Sequence, residues 1–340
     1  MRVRTTAIGA VFALVAAMAL IVSAASSAKS EQAFTMAIVT DIGSLQDRSF
    51  NELANKGRLQ AEKELGIKTR VYVTVKAEDR LPNLLAAATD GYSLIFGVGF
   101  FHAEHLNTVA PRYPDQKFSG IDVTKFLLPA SPPNYSGIVF AEHEAGYLVG
   151  YLAGLTVARK GGPQVISSVG ANPVPAIVKY MSGYIQGAKA ANKKIKVLSN
   201  YANDPTFNDQ AKCKEVALRQ LARGSQVIFA VAGGCGLGAL SSAKEKGKWG
   251  IGVDADQAYL GKHMLTSAVK KVDVSVVAIT KLAKAGKLKG NTDFLFNVRN
   301  KGVDYGRVSN KVPGADIAKL QAVKKGIGSG KIKVKEKVPY

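Results

Sequence analysis

Thr40 to Asn51 reads TDIGSLQDRSFN, and the place of this polar cluster in the chain decides the fold. It follows Phe34 to Val39, a run that is apolar apart from Thr35. A short run of that kind reads as a strand buried on both faces, as in a parallel sheet. The chain then breaks at Gly43, and Asp47 to Asn51 open a helix, so Asp41, Asp47, Phe50 and Asn51 gather where a strand runs out. In an open α/β sheet that is where ligands bind, and the four residues are expected to form half of a small-molecule site.

Outward from this stretch one pattern repeats. Strand Val71 to Val75, helix Arg80 to Thr89, strand Leu94 to Val98, a helix near His102 to Ala110, and strand Lys117 to Ile121 ending in Asp122 follow in order. Strands alternating with helices at this spacing predict βαβ units and a parallel sheet covered on both faces. Pro129, Pro132 and Pro133 exclude a helix or interior strand between Phe126 and Ser136, which reads as the approach to a second domain. From Tyr135 the pattern starts over with a strand Gly137 to Phe140 and a helix from Glu142.

The predicted class is α/β, with two Rossmann-like lobes of parallel sheet joined by a hinge. Residues 31–138 with 256–289 are expected to form the N-terminal lobe, and 139–255 with 290–325 the C-terminal one. In this division strand Met264 to Lys270 and helix Val272 to Ala285 return to the first lobe, and Phe294 to Val298 crosses back. Residues 326–340 read as a frayed basic tail.

Strand ends carry the chemistry. The first half gives VTD, VKAED, GVG and GID, and the second gives SVGAN, NYAND, VAGG and GVDAD. Two such polar rims facing each other make a cleft. Phe207, in DPTFND, holds a place like that of Phe50, and two rings in polar helix-start turns suit a flat ligand between them better than they suit a core. The blander reading makes each ring a hydrophobic staple under its own helix. Ionised Asp41, Asp122 and Asp254 only accept hydrogen bonds, so they suit a donor-rich guest such as a purine with its ring N–H and a sugar with vicinal hydroxyls; equally, Asp41 and Asp254 could simply cap helices. Lys270, at a strand end, is expected to pair with Asp254, and Gly233, Gly234 and Gly236 allow close approach of backbone N–H groups.

Residues 1–30 stand apart. Arg2 and Arg4 precede an apolar run from Ala7 to Val22, and small residues follow to Ala28, the pattern of a secretory signal peptide cut near Ala28. The formal charge is +21, of which Arg2, Arg4 and Lys29 supply three, leaving +18 for residues 31–340. For such a protein that excess fits an anionic envelope surface or solubility better than nucleic acid, since no basic stripe interleaves with aromatics. Cys213 and Cys235 flank one predicted strand; an oxidising compartment allows a disulfide, and two buried thiols are equally compatible.

An enzyme is the rival class. His102 and His105 lie one helical turn apart, but no HExxH and no third ligand accompany them, so they read as solvated surface histidines and no metal or cofactor is expected. GGCGLG sits too late in its α/β half to serve as a dinucleotide fingerprint.

TDIGSLQDRSFN, EAGYLVGYLAG (144–154), VIFAVAGGCGLG (227–238), GVDADQ (252–257) and LTSAVKKVD (265–273), in that order, resemble the basic membrane protein family of solute-binding proteins, whose best-understood members are purine nucleoside receptors of ABC transporters. The resemblance implies a type I periplasmic binding protein fold with two lobes closing on a nucleoside. It implies Asp41 at the base, Phe50 and Phe207 stacked on its faces, Asn51 and Asp122 near base or ribose, Asp254 and Lys270 on the ribose hydroxyls, and backbone contacts from Gly233. It further implies a monomer, an ABC permease as partner, no catalysis and a place in the periplasm or cell envelope. The leader holds no cysteine at its cut, unlike the many relatives that are lipoproteins. Another small solute, a sensor lobe of the same fold, or a secreted nucleoside-processing enzyme are the alternatives.

Overall fold

The computed structural model describes residues 33–339, so the expected leader lies outside the described residues. Two six-stranded sheets carry the architecture. The first runs β11-β5-β4-β3-β1-β2, from β1 (Thr35–Val39), β2 (Lys68–Tyr72), β3 (Leu94–Val98), β4 (Lys117–Ile121), β5 (Tyr135–Phe140) and β11 (Thr292–Phe296). The second runs β12-β10-β9-β8-β6-β7, from β6 (Val165–Gly170), β7 (Lys196–Tyr201), β8 (Val227–Val231), β9 (Trp249–Asp254), β10 (Met264–Lys270) and β12 (Val303–Tyr305). All pairings are parallel except that of β12 with β10. The sheets share one strand order, with β1 matching β6, β2 matching β7, and so on outward to β5 and β10, but the edge strands differ: β11 is parallel to β5 and β12 antiparallel to β10. The central strands β3 and β8 are buried at every residue, as the apolar runs require of strands covered on both faces.

Sheet membership corrects the expected division. Strand Met264–Lys270 does not return to the first lobe: all its residues are buried and it lies parallel to β9 in the second sheet. The helix that follows does cross, because α8 (Val272–Lys284) packs on α1 (Phe50–Leu65), so closely that a Cβ at Gly57 would stand 2.7 Å from the Asp273 carbonyl oxygen. Conversely β5 closes the first sheet against β4 instead of opening the second, and β11 joins β5 instead of lying in the second lobe. The repeating strand-helix period carries no mark of which sheet a strand joins; partner register and two-sided burial decide it. The chain therefore passes between sheets after β5, after β10 and after β11.

The motif EAGYLVGYLAG lies in α4 (Glu142–Lys160), which packs along α5 (Pro175–Ala191). Contact is backbone to backbone: a Cβ at Gly146 would fall 2.2 Å from the Tyr180 carbonyl oxygen, and one at Gly183 would fall 2.0 Å from that of His143. The final segment is not frayed. After α9 (Gly314–Gly328) it lies along α5, where Lys335 exchanges hydrogen bonds with the Gln186 side chain (2.9 and 2.8 Å) and Val338 N donates to Ser182 Oγ (3.2 Å). No described helix is long and apolar enough to cross a membrane.

Candidate functional site

The first-lobe wall begins where β1 ends. Asp47 caps the new helix with both oxygens: Oδ1 accepts from the N–H groups of Ser49 (2.8 Å) and Glu52 (3.1 Å), and Oδ2 from that of Asn51 (2.9 Å). Burial pushes its carboxyl up to about 6; the three N–H groups pull the other way, and Asp254 adds to the rise. Asn51 Oδ1 accepts from Asp41 N (3.2 Å), fixing the loop on the helix. Asp41 Oδ1 accepts from Ile42 N (2.7 Å) and from Arg80 Nε (3.0 Å) and Nη2 (2.7 Å), in an ion pair buried on both sides. The Arg80 guanidinium also lies over the Phe101 ring, 4.9 Å from its centre. Behind them His102 is wholly buried with Nε2 3.0 Å from the Thr40 carbonyl oxygen, and burial pulls its pKa down to about 4. This corrects its reading as a solvated histidine: the residue fills space under the loop as a neutral ring.

Asp204 repeats the cap of Asp47 in the second lobe. It accepts from the N–H groups of Thr206 (3.0 Å), Asn208 (2.8 Å) and Asp209 (2.8 Å), the same +2, +4 and +5 offsets, so DRSFN and DPTFN are one hydrogen-bonded turn used twice. The connections differ, however. The Phe50 turn follows β1, while the Phe207 turn follows β7, which corresponds to β2. The match read from sequence is one of turn chemistry and not of topological place, because an Asp-x-Ser/Thr-Phe-Asn turn is satisfied locally at any strand-helix join. Phe207 is left-handed at φ 56°, as is Gly233 beneath it, and Cys235 N donates to the Phe207 carbonyl oxygen (2.9 Å). Cys213 and Cys235 form a disulfide.

Asp122 and Asp254 are true counterparts, following β4 and closing β9, with φ of 64° and 59°. Between them Lys270, buried at the end of β10, donates to Asp122 Oδ2 (2.6 Å) and Glu142 Oε1 (2.9 Å). Its expected ion pair with Asp254 is replaced by these two, since Asp254 is engaged elsewhere: Oδ2 accepts from Ser49 Oγ (2.6 Å) and Oδ1 from Tyr180 OH (3.3 Å). Burial works against the charge on Lys270, but the three carboxylates more than offset it and hold its pKa above the usual lysine range. Burial raises Glu142 to about 7 against the pull of Lys270, and raises Asp254 as well. The ammonium also lies 5.1 Å from the centre of the Phe50 ring and 4.7 Å from that of Phe140.

These walls enclose one cavity, with some 790 Å³ free of protein atoms, solvent at its mouth included. Asp41, Asp47, Phe50, Asn51, Asp122, Phe207, Gly233, Asp254 and Lys270 line it, as does Gly234, whereas Gly236 does not. The lobes touch around it: Phe101 meets Phe207 edge to face at 6.3 Å, and Gln257 Nε2 donates to the Arg48 carbonyl oxygen (3.2 Å). Phe101, Ile177, Tyr180 and Asn208 also line the cavity and were missed. Tyr180 and Ile177 occur in an apolar helix sequence with nothing to mark them; Asn208 could have been found from its place in the repeated turn. Asp122 Oδ1 is buried with no hydrogen-bond partner among the described residues. Apolar faces and acids outnumbering the single lysine on the lining suit an uncharged planar molecule rich in donors better than an anion.

Two α/β lobes with three chain crossings and a cavity between strand ends define the type I periplasmic binding protein fold. In agreement, a solute-binding protein of an ABC transporter system from Aeropyrum pernix K1 superposes with a TM-score of 0.79 over 88% of this chain and 92% of the other, at 24% identity. The family model for Bmp, described as ABC transporter substrate-binding protein PnrA-like, matches residues 34–338, and the chain belongs to this family. Relatives include the ABC transporter nucleoside-binding protein BmpA of Lactococcus lactis subsp. cremoris, 34% identical over 83% of this chain and 84% of its own length. Basic membrane protein D of Borreliella burgdorferi is 31% identical over 94% and 91%.

Proposed function

We propose that the cavity binds a purine nucleoside, which the lobes enclose and release unchanged to a membrane permease. The observation that carries this reading is the placing of one phenylalanine from each lobe, Phe50 and Phe207, on the walls of a cavity that Asp41, Asp122 and Asp254 also line. A base between two rings gains about 1–3 kcal/mol per stacking contact, and the carboxylates on the walls accept from hydroxyl or N–H donors. The relative named a nucleoside-binding protein supports the same ligand class. The three chain crossings act as the hinge, and closure on the ligand follows from it. The leader read in residues 1–30 would export the protein to the envelope, where the permease lies.

The test is to incubate the purified protein with inosine and guanosine, follow its melting temperature, and analyse the nucleoside by mass spectrometry. A raised melting temperature with intact nucleoside supports the receptor. Release of free base and ribose would make the protein an enzyme, and an unchanged melting temperature would remove the nucleoside.

A further inference from the structure

Phe207 holds its wall position at a conformational disadvantage that Phe50 does not share. Phe50 is the first residue of α1. Phe207 precedes its helix, α6 (Gln210–Ala222), and sits in the left-handed region at φ 56°, which is unfavourable for a residue with a Cβ. Two things hold it there. Asp204 gathers the N–H groups around it, and the 233–235 turn presses from the other side. Phe207 N donates to the Asp204 carbonyl oxygen (3.2 Å), and Cys235 N donates to the Phe207 carbonyl oxygen (2.9 Å). A Cβ on Gly233 would stand 3.2 Å from that same oxygen, and one on Gly234 would stand 2.5 Å from Asn208 Oδ1. The disulfide joins the two halves of this arrangement. Cys213 lies in the first turn of α6, Cys235 ends the Gly233–Cys235 turn, their Cα atoms are 5.5 Å apart, and both are wholly buried.

We propose that the Cys213–Cys235 disulfide is a positioning element for the Phe207 and Gly233 wall, so that nucleoside binding and the disulfide stabilise one another. The inference rests on the nucleoside reading above. Reduction by dithiothreitol cleaves the sulfur–sulfur bond; two electrons and two protons give two thiols, while the reagent closes to its cyclic disulfide. Without the bond the 233–235 turn and α6 part more freely, and Phe207 can relax from its left-handed conformation. By linkage, whatever factor the disulfide contributes to affinity, bound ligand must return to the disulfide.

The experiment titrates inosine and guanosine by calorimetry into the oxidised protein, the reduced protein and the Cys213→Ala/Cys235→Ala variant. In parallel, the wild-type protein is equilibrated in dithiothreitol redox buffers with and without saturating nucleoside, and its thiols are counted after alkylation. The expected results are an affinity about tenfold weaker in the reduced protein and a reduction potential lowered by the matching amount, about 30 mV for a tenfold ratio. The redox titration reads wild type alone, so it decides the matter even where the variant fails to fold. In Phe207→Ala the affinity gap between oxidised and reduced protein collapses, whereas in Phe50→Ala it persists; a merely structural disulfide would leave the gap alike in both. Equal affinities with no change of potential would overturn the coupling while leaving the nucleoside reading intact. No binding of either nucleoside by the oxidised protein would overturn both.

Discussion

Ser49, at the start of the first lobe's α1, donates a 2.6 Å hydrogen bond to Asp254 at the end of β9 in the second lobe, and both residues are buried. The bond bridges the lobes beside the cavity, so it exists only while they are together. Hydrogen bonds to a charged acceptor contribute about 1.5–3 kcal/mol. Ser49→Ala is therefore expected to weaken nucleoside binding roughly 10- to 100-fold, with little change in melting temperature of the ligand-free protein. Calorimetry and thermal melting separate the two effects; equal affinity for Ser49→Ala and wild type would remove the bond from closure.

Arg80 and Asp41 form a buried ion pair between α2 (Arg80–Thr89) and the loop after β1. Removing one partner strands the other charge, at a cost of about 3–5 kcal/mol. Arg80→Met is expected to lower stability in urea by that order. Arg80→Met with Asp41→Asn should recover part of the loss, because the stranded carboxylate is gone. A double variant no more stable than Arg80→Met would contradict the pair's role.

Glu142 supplies a pH dependence whose sign is fixed by burial. Its folded pKa is raised from 4.5 to about 7, so between those values the folded protein binds more protons than the unfolded chain. Its contribution to stability is then fully present below about pH 4.5 and lost as pH rises toward 7, with a slope of at most about 1.4 kcal/mol per pH unit. Urea unfolding across this window should show the decline, and Glu142→Gln should flatten it. An unchanged slope in Glu142→Gln would assign the dependence to other groups, with Asp47, raised to about 6, the first candidate.

Much of the site is legible from residues whose environment is local. TDIGSLQDRSFN shows a strand end and a helix start in one stretch, and Asp122 and Asp254 stand at strand ends, so all reach the cavity once the strands are found. Long-range partnerships leave no such trace. Arg80, 39 residues from Asp41, lies in RLPNLLAAAT, where an arginine at a helix start has no marked role. Lys270 pairs with Asp122 and Glu142 because the lobes meet, which no periodicity conveys. The placing of β5, β10 and β11 in their sheets likewise depends on pairing across more than a hundred residues for β11 and on the course of the crossings for the others.

The two rings remain the centre of the account. Titration of inosine by calorimetry into wild type, Phe50→Ala and Phe207→Ala tests them most directly. Stacking predicts one nucleoside per chain and a loss of about 1–3 kcal/mol in each variant, roughly a 5- to 150-fold weaker Kd. Affinities for both variants equal to that of wild type would contradict a nucleoside held between Phe50 and Phe207.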